Sequence, residues 1–405
     1  MKIVRVGERS KVPRVGKNGG EEIPLGIYYG ITLPKIEAKG CGNAVVSTVQ
    51  DDLQDEKKID VFELQRVVRA ERYAMQSIAK DLLPKERVSI CLRTRIKKRG
   101  NDYYEDIKVW QHLNAGKAFY SGLAVCGSVW TCPVCASKIS ERRKNELHKA
   151  TTAHKQAKGY LAMLTLTIRH KRTDKLDALL DAFNEATSKM MKRKEFSVIR
   201  EEMGIIGRVK ALEVTHGQNG WHPHAHIVIF YENETDLTKM RKRMYKLWDA
   251  ACEKFGLSTT ESYGIDLQGA DHVQAYLAKH GSWSIEQEMT KSHIKKGRES
   301  NMTPFDLLRD VLHNDDDYSK ALYREYAVSF KGKRQLHWSR GLKDHFAITD
   351  KTDEELAKEK VEQADLLGLI TSDQWREIIR RDQRAQLLTN IEKYGFDIGL
   401  KLTLN

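Results

Sequence analysis

The chain has 405 residues, a formal net charge of +13 and pI ≈ 9.2. That length suits two or three domains with a sizeable core, and the excess of Lys and Arg points to a polyanionic partner. No stretch approaches about 18 consecutive apolar residues, which excludes a transmembrane helix and leads us to expect a cytoplasmic protein.

Residues 1–85 open with the Gly- and Lys-rich run Gly16-Lys17-Asn18-Gly19-Gly20 and continue into a helix expected over 61–79; their role is not legible. Residues 86–148 carry most of the cysteines. Cys126, Cys132 and Cys135 lie within ten residues, and Cys132-Pro133-Val134-Cys135 is a Cys-x-x-Cys knuckle able to grip a tetrahedral metal. Cys91, on the strand-like run Val88-Ser89-Ile90-Cys91-Leu92, is the expected fourth ligand, and His112 competes with it. Sulfur ligands select zinc, which is expected to be structural. The N-terminus lacks a signal-peptide pattern, which disfavours disulfides, so Cys41 and Cys252 read as ordinary thiols. Basic runs recur at Lys97-Lys98-Arg99, Met190-Met191-Lys192-Arg193-Lys194, Lys239-Met240-Arg241-Lys242-Arg243 and Lys295-Lys296-Gly297-Arg298. The last is a glycine-containing loop suited to phosphate contacts.

Residues 155–345 alternate strands with amphipathic helices expected over 176–191 and 237–255, which predicts an α+β fold: an antiparallel sheet covered by helices. At its centre, Arg208 to Thr215 and His224-Ala225-His226-Ile227-Val228-Ile229-Phe230 both alternate like strands. Residues two apart on a strand share a face, so His224 and His226 present two imidazoles side by side. The intervening segment contains Asn219-Gly220, a hairpin signal. A two-residue Asn219-Gly220 turn sets Glu213 opposite His226, and a four-residue loop centred one position earlier sets it opposite His224. Either way a carboxylate and two imidazoles converge on one face. His222 precedes the strand and is not assigned as a ligand. Residues 350–405 read as a helical tail, with helices around Glu354-Glu355-Leu356-Ala357-Lys358 and Trp375-Arg376-Glu377-Ile378-Ile379.

The run Trp221-His222-Pro223-His224-Ala225-His226 before an apolar strand resembles the HUH endonucleases, in particular plasmid and phage rolling-circle replication initiators. Tyr160-Leu161-Ala162-Met163-Leu164-Thr165-Leu166-Thr167 is similar to the family's first motif, and Ala275-Tyr276-Leu277-Ala278-Lys279 to its Tyr-x-x-Lys motif. Lys331-Gly332-Lys333 and Leu336-His337-Trp338-Ser339-Arg340-Gly341-Leu342 resemble a closing segment of the same plasmid proteins. The resemblance runs from about Cys91 to about Leu342. It implies a divalent metal, Mg²⁺ or Mn²⁺, held by the histidine pair and a polar residue. It also implies a tyrosine that attacks single-stranded origin DNA and remains joined to the 5′ phosphate.

Read on its own terms, 271–281 has helix features that place Tyr276 and Lys279 on one face. A lysine there favours phenolate and can hold a phosphate as a point charge. The segment departs from one branch of the resembled family, which has a glutamate four residues before the tyrosine. Here that position is His272, so the group that activates water at termination is open between His272, Asp271 and Glu288. The expected activity is nicking and religation of origin DNA, with a host helicase as a possible further partner of the tail. A relaxase or a single-strand transposase is the rival within the superfamily. Relaxases usually place the tyrosine before the histidines, and such transposases are shorter. A non-catalytic zinc DNA-binding regulator would explain the cysteines and charge, but not Glu213, His224, His226 and Tyr276 together. A water-using metallohydrolase would leave the tyrosine incidental.

Overall fold

The expected amphipathic helices form where their apolar spacing places them. A computed structural model describes residues 61–97, 104–113, 115–269, 301–358 and 364–405. Tyr276, Lys279, Asp271, His272, Glu288, the basic run 295–298 and residues 1–60 lie outside them.

Helix α1 (Val61–Leu82) leads to a short 3₁₀ turn (Arg87–Ile90), where a strand was expected around Cys91. Among the described residues no strand pairs with that β-branched run. Instead Cys91 N–H bonds back to Val88 C=O, and Leu92 enters the left-handed region at φ 52°, which turns Cys91 inward. Strands β1 (Ile107–His112) and β2 (Ala118–Ser121) precede helix α2 (Pro133–Gln156). α2 starts on the knuckle with Pro133 in its first turn, where the missing N–H costs nothing. It runs unbroken across residues 148–155, where a junction between regions was expected.

Next come β3 (Tyr160–Thr167), α3 (Leu176–Met191), α4 (Lys194–Met203), β4 (Ile205–Gly217), β5 (Gly220–Tyr231), α5 (Leu237–Lys254) and β6 (Ile265–Gly269). They are followed by α6 (Pro304–Asn314), α7 (Asp317–Ser329), β7 (Leu336–Trp338) and α8 (Leu342–His345). The described strands of this part form one antiparallel sheet in the order β6-β3-β5-β4-β7. The mixed α+β class with antiparallel pairing is therefore observed.

The two faces of this sheet are covered differently. On one, Leu164, Leu166, Ala225, Ile227 and Ile229 pack with Leu176, Leu180 and Phe183 of α3 and Trp248 of α5. Trp248 also donates its indole N–H to Thr167 C=O at 3.1 Å. On the other, Leu147 and Ala150 of α2, with Phe346 and Ile348, cover Leu161, Val209, Val228 and Phe230. Each large apolar side chain so buried contributes about 1.5–3 kcal/mol. That second cluster does not include Glu213, His224 or His226, which share its face by strand alternation.

The tail is not purely helical. After α9 (Asp353–Lys358) the chain forms strand β8 (Ala364–Ile370), which pairs antiparallel with β1 and makes a second sheet, β2-β1-β8. Helices α10 (Ser372–Arg380), α11 (Arg384–Tyr394) and α12 (Phe396–Leu404) follow. Glu392 of α11 accepts two short bonds from Arg69 of α1, at 2.6 and 2.7 Å, and one from Ala118 N–H at 2.7 Å. The tail therefore docks onto the cysteine-bearing region of its own chain. Among the described residues, no helix is long and apolar enough to cross a membrane.

Candidate metal centres

Glu213 and His224 are direct cross-strand partners, and His226 faces Ala211. The hairpin tip is Gln218-Asn219, with Gly217 opposite Gly220. An Asn219-Gly220 turn does not form. Gly220 instead follows the tip at φ 86°, the glycine that closes a turn by a left-handed step. A Cβ at Gly220 would also come within 2.9 Å of Arg172 Cα.

The three side chains converge. His224 Nε2 lies 3.2 Å and His226 Nε2 3.8 Å from Glu213 Oε2, and the ligand atoms of all three fall within 4.8 Å of one another. Adjacent ligands on an octahedral ion with bonds of about 2.1 Å sit about 3.0 Å apart, so the spacing is on the scale of one ion. His224 Nδ1 faces His222 C=O at 3.4 Å. With that nitrogen as donor, Nε2 turns a lone pair toward the carboxylate, and two acceptors face each other. A proton or a metal ion between them satisfies both. His226 is the third converging group. The residues fit a divalent cation.

β3 supplies a partner that was not assigned from the sequence. Thr165 pairs with His226 and Thr167 with His224 in register. The Thr165 hydroxyl hydrogen-bonds His226 Nδ1 at 3.1 Å, which leaves Nε2 directed at Glu213. A second group that fixes a ligand's ring orientation is worth about 10–100-fold in metal affinity. Thr165→Val is therefore expected to weaken Mn²⁺ binding by about tenfold in calorimetric titration, with the thermal midpoint nearly unchanged. The signal was present in the Thr-Leu-Thr strand end, but only the β3–β5 register selects Thr165. His222 bonds His170 Nε2 through its Nδ1 at 2.8 Å. Burial, then His224 and His170, depress its pKa to about 3, so it stays neutral beside the cluster.

The second group is made of sulfur. Cys91, Cys126, Cys132 and Cys135 are buried with their sulfurs together. The Cys126–Cys135, Cys91–Cys135 and Cys91–Cys132 separations are 3.5, 3.6 and 3.8 Å. A tetrahedron with Zn–S bonds of about 2.3 Å has edges of about 3.8 Å. The four-sulfur group can hold a metal such as zinc, and it contains Cys91 rather than His112. Backbone N–H groups of Ser128 and Cys135 point at Cys126 and Cys132 sulfur at 3.5 Å, and Gln76 Nε2 reaches Cys132 at 3.2 Å. Burial opposes the Cys132 thiolate, but donors from the other three cysteines and the Cys135 N–H outweigh it and hold its pKa well below the usual thiol range. Cys252 is separate and buried, and burial followed by Asp249 raises its pKa to about 12, which makes it an inert thiol.

The two centres are mechanically linked. Cys132 caps α2, accepting from Cys135 N–H, and the far half of the same helix covers the sheet that carries Glu213 and the histidines.

Comparison with known proteins bears on what these centres serve. "Protein rep" of Streptomyces lividans is 25% identical over 342 residues, covering 66% of this chain and 75% of that protein. "Neomycin resistance protein" of Streptomyces cyanogenus is 32% identical over 161 residues, 34% of this chain and 37% of that protein. No solved structure matches. The family described as Replication protein matches residues 123–384, a span that holds the carboxylate–imidazole cluster and three of the four cysteines. Since that span is well over half of the sequence, the chain belongs to the replication protein family.

Proposed function

We propose that the chain initiates rolling-circle replication of a plasmid by nicking single-stranded origin DNA. The observation that carries this reading is the convergence of Glu213, His224 and His226 at one metal-sized point. Mg²⁺ or Mn²⁺ held there would supply Lewis-acid stabilisation of charge on the scissile phosphate. Glu213 and the two imidazoles would hold the ion, and Thr165 fixes the ring of His226. Tyr276 attacks phosphorus, its oxygen forms the phosphotyrosine bond, and the bond to the 3′ oxygen breaks to give a free 3′-OH. Lys279, three residues on, favours the phenolate and holds the phosphate. Religation reverses the transfer.

The topology is compatible with that role. Asp266 of β6 pairs with Thr165 at the level of the site, and β6 then runs away to Gly269. The described chain resumes at Asn301, and Met302 bridges His216, on the opposite side of Glu213. The two ends thus lie on either side of the cluster along the strands, each about 10 Å away by strand rise. The sulfur group, with zinc, is read as structural.

The test is an adduct trap. Wild-type protein, a single-stranded origin oligonucleotide and Mn²⁺ should give a denaturant-stable protein–DNA species that EDTA abolishes. His224→Ala and His226→Ala should each lower its formation by about 10²-fold or more, and Glu213→Ala less, while the fold is retained. Full cleavage by the double histidine variant at ordinary Mg²⁺ would sink the metal assignment. Absence of any wild-type adduct would sink the nickase reading.

A further inference from the structure

The sheet face opposite the carboxylate–imidazole cluster holds a second, differently charged site. A cavity of about 270 Å³ opens between α3, β4 and β7. Its walls carry Lys192, Arg208, Lys210 and His337, with Asn184 and Ser339 beside them, and among the described residues no carboxylate lines it. The arrangement follows from strand alternation. Arg208 and Lys210 are two apart on β4 and share a face, and His337 of β7 is the cross-strand partner of Lys210. Glu213 sits on the other face of the same strand.

Arg208 and Lys210 are half-buried and set against one another, with Lys192 and His337 exposed at the mouth. The charged neighbours that act on Lys210 are Arg208 and Lys333, and those on His337 are Lys210, Arg334 and Arg208, cations throughout. Arg200 is the charge beside Arg208. Lys210 donates to Asn184 Oδ1 at 3.1 Å, a neutral acceptor that leaves the charge uncompensated. Burying a charge without a counter-charge is costly, and gathering several of one sign costs more. The last turn of α3 offers them some relief, because helix C-termini favour cations. That end effect does not account for the aligned Arg208–Lys210–His337 row on the sheet. An anion in the cavity does.

We propose that this cavity is a phosphate-binding site. A phosphate presents several acceptor oxygens to guanidinium, ammonium, imidazole and hydroxyl donors, all of which the walls provide. The phosphoryl group can come from the backbone of the bound DNA strand or from a free phosphate. The DNA source rests on the proposed function; the cavity's charge does not.

The experiment has two arms, both on the full chain. In the first, affinity for a fluorescent single-stranded oligonucleotide is measured across a salt series for wild type and for the double variant Arg208→Gln, Lys210→Gln. Loss of one phosphate contact lowers the slope of log K against log salt by about 0.7, about fourfold in affinity near 0.15 M salt. In the second arm, pyrophosphate is titrated into each protein by calorimetry. A reduced slope in the variant supports the site with DNA as the source. An unchanged slope, with saturable pyrophosphate binding in wild type that the variant loses, supports the site with a free phosphate as the source. An unchanged slope and no pyrophosphate binding overturn the proposal. Lys192→Gln, an exposed change at the cavity mouth, repeats both arms should the double variant fail to fold. The charge-conserving pair Arg208→Lys, Lys210→Arg should restore binding. Adduct formation at saturating DNA should persist in all these variants. A wild type that forms no adduct would therefore count against the nickase reading and not against this site.

Discussion

Replacing Tyr276 by Phe is expected to abolish the covalent protein–DNA adduct while single-stranded DNA binding stays nearly intact. In the proposed mechanism the phenolic oxygen forms the bond to phosphorus, and no other atom of the ring can replace it. The ring itself is kept. Phenol is a poor nucleophile at its ordinary pKa of about 10, so in the proposed mechanism attack would depend on charge stabilisation at the Glu213, His224 and His226 site and by Lys279. Lys279→Ala should accordingly slow adduct formation without eliminating it. The measurement is a denaturing gel with a labelled origin oligonucleotide and Mn²⁺, read beside an anisotropy titration of the same protein. Adduct at the wild-type level from the Phe variant would remove Tyr276 as the nucleophile. Tyr263 would then take its place: its side chain is 85% exposed. Its carbonyl accepts from the Thr167 hydroxyl at 2.6 Å, and Thr167 is the strand partner of His224.

The joint change Cys132→Ser and Cys135→Ser is expected to release about one zinc per chain and to unfold the region around the knuckle. Structural zinc in small domains contributes an apparent ~10–16 kcal/mol, which is as large as the whole stability of an ordinary domain, about 5–15 kcal/mol. Without the ion, four thiols are buried together in mutual contact. The consequence reaches further than the cysteines. α2 begins on Cys132 and ends over the central sheet, where Leu147 and Ala150 cover Val228 and Phe230. The knuckle also fixes the basic turn before β7, since Trp130 Nε1 donates to Lys333 C=O at 2.6 Å and its ring packs on Phe330 at 4.7 Å. Elemental analysis of protein purified without added metal, with hydrogen exchange along α2 and β5, reads both effects. Zinc retained by the double variant, or none in wild type, would refute the sulfur site. Loss of zinc with unchanged protection in α2 would refute the mechanical link.

The sequence by itself determined what short-range periodicity can encode. Alternation along 208–215 and 224–230 puts Glu213 and the two histidines on one face, because side chains on a strand repeat every second residue whatever surrounds them. The stripes of α3 and α5 are legible for the same reason, at a period of 3.6. The Cys-x-x-Cys knuckle is local too. Tertiary structure alone decided what joins segments far apart in the chain. Gln218-Asn219 as the hairpin tip, and hence the Glu213–His224 register, follows from Gly220 adopting the left-handed step against Arg172. Cys91 reaches the sulfur group through a 3₁₀ turn where its residues read as a strand, since strand propensity counts only where a partner strand exists. β8 was read as part of a helical tail, yet its pairing with β1 across some 250 residues makes it a strand. Thr165 acquires its hold on His226, and Arg208, Lys210 and His337 their shared cavity, only when β3 and β7 take their places beside the hairpin. Such contacts depend on which strands become neighbours, a choice made by burial of the whole sheet between two layers of helices and not by any one segment of sequence.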